Sequence, residues 1–141
     1  MRDNIHNDSY KVAIPPVIPT NNTAQVGNWI DRSGFDSLSF AIETGTIVTD
    51  GATFTVLMEE ASAADQSDNA AVADQDMLSQ VEGVAPETAA GLGVAVSNTA
   101  TKIGYIGGKQ YVRITVTPAS NSGAAPLAAV AKLSNAYSRP V

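Results

Sequence analysis

Side chains that could do chemistry are few and scattered along this chain. His6 is the sole histidine, it lies in a polar stretch, and there is no cysteine. A lone imidazole in a polar terminus has no obvious nucleophile partner, which argues against a Ser-His-Asp or Cys-His relay, and the thiolate and imidazole ligands that zinc prefers are missing. His6 therefore reads as a surface residue. Asp65, Asp68, Asp74 and Asp76 could offer oxygens to calcium, but they lack the D-x-D-x-D-G spacing and the closing glutamate of a calcium loop. They read as a solvated acidic loop. Glu59 and Glu60 at a strand end, with Asp50 across the expected hairpin, imitate a carboxylate pair. Adjacent residues of a strand face opposite sides, however, so the two glutamates cannot flank one bond. Gly91-Leu92-Gly93 lacks the third glycine, the Lys-Ser/Thr and the helix of a phosphate loop. No catalytic residue, metal site or cofactor is expected.

What remains is a surface. Residues 102–117 read K-I-G-Y-I-G-G-K-Q-Y-V-R-I-T-V-T. On a strand, Gln110, Val112, Ile114 and Val116 point one way and Lys109, Tyr111, Arg113 and Thr115 the other. Lys109, Tyr111 and Arg113 then form a basic-aromatic face that either meets a protein partner or is an ordinary solvated sheet face. The first 87 residues hold all 14 acidic residues and three cations, whereas residues 88–141 hold five cations and no acid. Low charge density can produce such a split by chance. It would also suit a subunit whose basic region meets an acidic surface on another copy or on a partner. Five cations are too few to argue for nucleic acid.

The elements that must position these residues are short strands. Residues 35–43 alternate cleanly, with Leu38, Phe40 and Ile42 on one face. Residues 53–58 place Phe54, Val56 and Met58 likewise, after an Asp50-Gly51 turn suited to a hairpin. Gly107-Gly108 suggests a second tight hairpin, joining residues 102–106 to 109–117. Arg32-Ser33-Gly34 reads as a turn, and Trp29 as core or strand-end packing. Further strands are expected near residues 25–31, 93–97 and 127–133, with a short helical turn near 74–80. Seven or eight strands without a long amphipathic helix predict an all-β fold, a single antiparallel β-sandwich or barrel-like domain.

Its expected organisation is an extended N-terminal arm (1–24), the β-domain (25–134, with a long acidic and alanine-rich excursion at 61–90) and a short C-terminal tail (135–141). In the arm, Pro15, Pro16 and Pro19 disfavour an interior strand, yet Val12, Ile14, Val17 and Ile18 are apolar. The arm packs either along its own domain or on a neighbouring subunit. On the second course, Ile14, Pro15, Pro16, Val17 and Ile18 are contact residues, and deleting residues 2–18 would leave a folded domain. No stretch is long and apolar enough to span a bilayer, and no secretory signal is visible. The chain is expected to be soluble, with no membrane partner.

Residues 104–113, G-Y-I-G-G-K-Q-Y-V-R, resemble a set of small head proteins of tailed bacteriophages and prophages, encoded close to the major capsid protein. Ala13-Ile14-Pro15-Pro16, Gly34-Phe35-Asp36-Ser37-Leu38, Leu57-Met58-Glu59-Glu60-Ala61 and the closing Arg139-Pro140-Val141 extend the likeness thinly over most of the chain. Its fairly specific element is Y-I-G-G-K-x-Y-V-R. The resemblance implies a structural virion protein that decorates and stabilises the capsid by binding the major capsid protein. It further implies a homo-oligomer, with a trimer favoured, on the capsid exterior after assembly in the bacterial host cytoplasm. Such a family brings no catalytic residues. A tail, connector or fibre-associated part is the alternative, and a carbohydrate-binding β-module a more distant one, since aromatics are scarce.

Overall fold

The computed structural model describes residues 3–78, 92–93 and 97–138. Their strands are β1 (Ser9–Val17), β2 (Gln25–Val26), β3 (Ile30–Asp31), β4 (Phe35–Thr44), β5 (Thr53–Ala61), β6 (Ala70–Ala71), β7 (Met77–Leu78), β8 (Leu92–Gly93), β9 (Ala100–Tyr105), β10 (Tyr111–Ala119) and β11 (Leu127–Ala136), with one 3-10 turn at Asp74–Asp76. They form two antiparallel sheets packed as a sandwich. One runs β1-β11-β4-β9-β7; the other runs β2-β10-β5-β6, with β3 also on β10 and β8 also on β5. The fold is all-β, and of the two expected shapes it is the sandwich, not a closed barrel.

Alternation in the sequence becomes the core directly. Leu38, Phe40 and Ile42 of β4, Phe54, Val56 and Met58 of β5, and Val112, Ile114 and Val116 of β10 are all buried. Ile103 and Tyr105 of β9 and Leu127, Ala129, Ala131 and Leu133 of β11 complete the interlayer packing. Burying each large side chain contributes about 1.5–3 kcal/mol.

Two expected hairpins are absent. β4 and β5 lie in different sheets, as do β9 and β10. Asp50-Gly51 and Gly107-Gly108 therefore sit in arches that carry the chain across the core. An inward-facing alternation looks the same whether the next strand pairs beside it or opposite it. Gly51 does take a positive φ of 77°, whereas neither Gly107 nor Gly108 does. Along the described strands the chain changes sheet at every connection except β2–β3 and β5–β6.

Much of the arm is part of the sandwich. β1 is the edge strand beside β11, from Ser9 opposite Leu133 to Val17 opposite Leu127. Pro15 and Pro16 fall where the register shifts, as an edge strand tolerates. Ala13 and Ile14 are 0% and 2% exposed. Removing residues 2–18 would thus strip a strand and core side chains, contrary to the expectation of an intact domain. Between β2 and β3, Gly27 and Asn28 close this side: Gly27 N–H donates to Ile114 O at 2.9 Å, and Asn28 N–H to Ala13 O at 2.7 Å. A Cβ on Gly27 would run into both carbonyl oxygens, so the strap requires glycine.

β11 runs three residues beyond the expected strand, so Asn135 and Ala136 belong to the domain. The helical turn expected near 74–80 is confined to Asp74–Asp76. Of the strand expected near 93–97, Gly93 closes β8, residues 97 and 98 form a turn, and 94–96 lie outside the described residues. Arg32-Ser33-Gly34 is a turn, with Gly34 at φ 85° and Phe35 N–H donating to Arg32 O at 3.0 Å.

Candidate functional site

The candidate contact residues fall into two groups at opposite ends of the sandwich. β11 separates them, its ten residues spanning about 30 Å.

At one end is the β9–β10 arch. Arg32 clamps it, with Nε donating to Lys109 O at 2.6 Å, Nη2 to Gly107 O at 2.7 Å and Nη1 to Asp36 O at 3.3 Å. The guanidinium also lies 5.4 Å from the Tyr105 ring centroid. Tyr105 holds the arch from below. Its hydroxyl donates to Glu60 Oε2 at 2.5 Å and accepts from Lys109 N–H at 2.9 Å. Burial, followed by the bond to Glu60, pushes the Tyr105 hydroxyl well above the ordinary tyrosine range. The ring fills the space a Cβ on Gly107 would need, so this glycine is dictated by a close approach. In the sequence Arg32 reads only as part of a turn. A contact 75 residues away in the chain leaves no local signal.

The three residues expected on one outward face have different roles. Arg113 is engaged within the sheet. Its Nε donates to Glu59 Oε2 at 2.7 Å from the strand position directly opposite, and its guanidinium lies 4.5 Å from the Trp29 ring centroid. Trp29 is half-buried between β2 and β3, as a platform for that arginine. Tyr111 opens β10 half-buried, with Gln110 Nε2 donating to its hydroxyl at 3.3 Å. Lys109 is in the arch, before the strand begins, and is exposed. At the same end Ile106 and Tyr137 are 58% and 73% exposed, Tyr137 beside Gly108 and Gln110.

At the other end, the arm leaves β1 and is clasped by the β10–β11 connection. Buried Asn121 donates through Nδ2 to Pro19 O and Asn21 O, both at 3.3 Å, and its N–H donates to Asn22 Oδ1 at 2.8 Å. Beside the clasp is an open groove of about 440 Å³, lined by Pro16, Val17, Ile18, Pro126 and Leu127, with Glu43 at its margin. Of the five arm residues expected to make contacts, Ile14 is core, Val17 is half-buried, and Pro15, Pro16 and Ile18 are exposed.

The division of charge along the sequence is resolved inside the fold. The acid-free C-terminal strands lie between acid-bearing N-terminal ones, and two of their cations meet those acids: Arg113 with Glu59, and Lys132 with Asp8 at 3.0 Å. Asp8 in turn raises the Lys132 ammonium above its usual range. Two carboxylates of the acidic loop are likewise spent within it. Asp68 accepts from Ser62 N–H and Ala63 N–H, and Asp65 from Ser67 N–H. Those backbone donors at Ala63 and Ser62 hold the Asp68 carboxyl below its ordinary range. Among the described residues no three His, Asp or Glu side chains cluster as metal ligands do.

No family model matches the chain, and no curated protein does. Among solved structures, one likeness is to a protein of Bacillus endospore appendages, described as disulfide-linked pili. It has 12% identity and a TM-score of 0.41, over 92% of this chain and 89% of that one. Another is to VP2 of the infectious bursal disease virus subviral particle, with 11% identity and a TM-score of 0.30, over 91% of this chain and 40% of that one. Both TM-scores fall below 0.5, and neither likeness bears on what this chain does.

Proposed function

We propose that the protein is a structural subunit of a tailed-bacteriophage particle that decorates the capsid exterior by binding the major capsid protein. The observation that carries this reading is the use of its polar side chains. Arg113, Glu59, Tyr105, Glu60, Lys132, Asp8 and Asp68 are engaged in holding strands, arches and loops together. Such cohesion suits a load-bearing subunit, and the two ends of the sandwich offer apolar and cationic groups for contact. The resemblance through Y-I-G-G-K-x-Y-V-R supplies the partner, a phage shell.

Tail-free heads, purified and analysed by quantitative mass spectrometry, should contain the chain in a fixed ratio to the major capsid protein. Purified protein should also rebind stripped heads, and Lys109→Glu combined with Tyr111→Ala should lower occupancy. Recovery in tails alone would move the protein to the other structural class. Full occupancy by the double variant would remove the arch from the contact.

A further inference from the structure

We propose that copies of this chain join head to tail, the segment after β11 of one copy seating in the groove beside the arm of the next. This goes beyond capsid binding and holds with or without a shell.

The two surfaces complement each other. The groove is apolar, built by Pro16, Val17, Ile18, Pro126 and Leu127, with the exposed Glu43 carboxylate at its margin. Ile18 is 60% exposed there, an unpartnered branched side chain on a strand-end shelf. The segment that follows β11 reads Tyr137-Ser138-Arg139-Pro140-Val141. It offers an aromatic ring, a proline and a valine to the apolar walls and one guanidinium to Glu43. Arginine and carboxylate form the charge pair with the greatest geometric specificity.

A chain cannot fill its own groove with this segment. Residue 127, at the groove, is opposite Thr44, whereas Ala136 is opposite Phe35 at the far end of β4. Tyr137 is held at that far end, its N–H donating to Gly34 O at 2.9 Å. The separation is about 30 Å, and the five residues after Ala136 reach at most about 17 Å. The occupant must therefore come from a second copy. Joining unlike ends makes a heterologous contact, which closes into a ring or continues as a filament.

Sedimentation of the full chain over a range of concentrations tests this without any shell. The wild type should form species above monomer mass. Glu43→Arg and Arg139→Glu should each weaken association roughly tenfold or more, because each sets like charges face to face, and the two changes combined should restore it. Both positions accept the change without unfolding if far-UV circular dichroism is unaltered. Should either single variant fail that check, Glu43→Gln and Arg139→Gln replace the pair, each again expected to weaken association. A wild type that stays monomeric overturns the proposal, as does association untouched by the single changes or a combined variant no better than either alone.

Discussion

Gly107 has no room for a methyl group, because the Tyr105 hydroxyl lies 2.5 Å from where its Cβ would stand. Gly107→Ala should cost about 1–3 kcal/mol in urea unfolding, the range for overpacking. Gly108→Ala, with nothing within 4 Å of the added carbon, should stay within about 0.5 kcal/mol of the parent. Arg113→Met should lose about 1–2 kcal/mol by removing the Glu59 pair and the Trp29 stack together. A charge reversal at Arg113 consequently reports on the fold before it reports on any partner. Tyr105 also sets an alkaline limit. Its folded-state proton is held more tightly than an unfolded tyrosine's, so its contribution is complete below about pH 10 and lost as pH rises through the folded value. Tyr105→Phe should be less stable at pH 8, with a shallower decline above pH 10.

At the scale of elements, β1 and the Gly27 strap hold one side of the sandwich. Ile14→Ala should cost about 2–4 kcal/mol as a core truncation, whereas Val12→Ala, at a position 53% exposed, should fall within about 0.5 kcal/mol. A chain beginning at Asp8 should keep a cooperative thermal transition, and one beginning at Pro19 should lose it. Strand positions were legible because a period-2 pattern records which side chains face the core, and Phe40, Val56 and Ile114 all obey it. Which sheet a strand joins was not legible, because that depends on arch geometry. Asp50-Gly51 and Gly107-Gly108 have turn chemistry suited to a hairpin and are used to cross the core instead. The contact residues fared similarly. Lys109 is exposed as its type suggests and Ile18 is exposed against its type, while Arg113 and Ile14 found partners far away in sequence.

Over the whole molecule, one consequence is kinetic. Among the described strands only β5 and β6 pair as sequence neighbours, so nearly every one of these ladders waits on a long loop closure. Folding after dilution from urea should take milliseconds to seconds.

The antiparallel pairing of β1 with β11 also fixes how the molecule bears force. Ser9 opposes Leu133 and Val17 opposes Leu127, so the outer ends of the first and last long strands emerge on the same side. Tension between those ends peels the β1–β11 ladder one hydrogen bond at a time, like a zipper. Tension between the arch end and the groove end runs along the strands and loads many bonds of a ladder at once. In single-molecule pulling, handles on residues 8 and 138 should rupture at a lower force than handles on residues 109 and 18. The sandwich is mechanically anisotropic, compliant at its paired ends and stiff along its length.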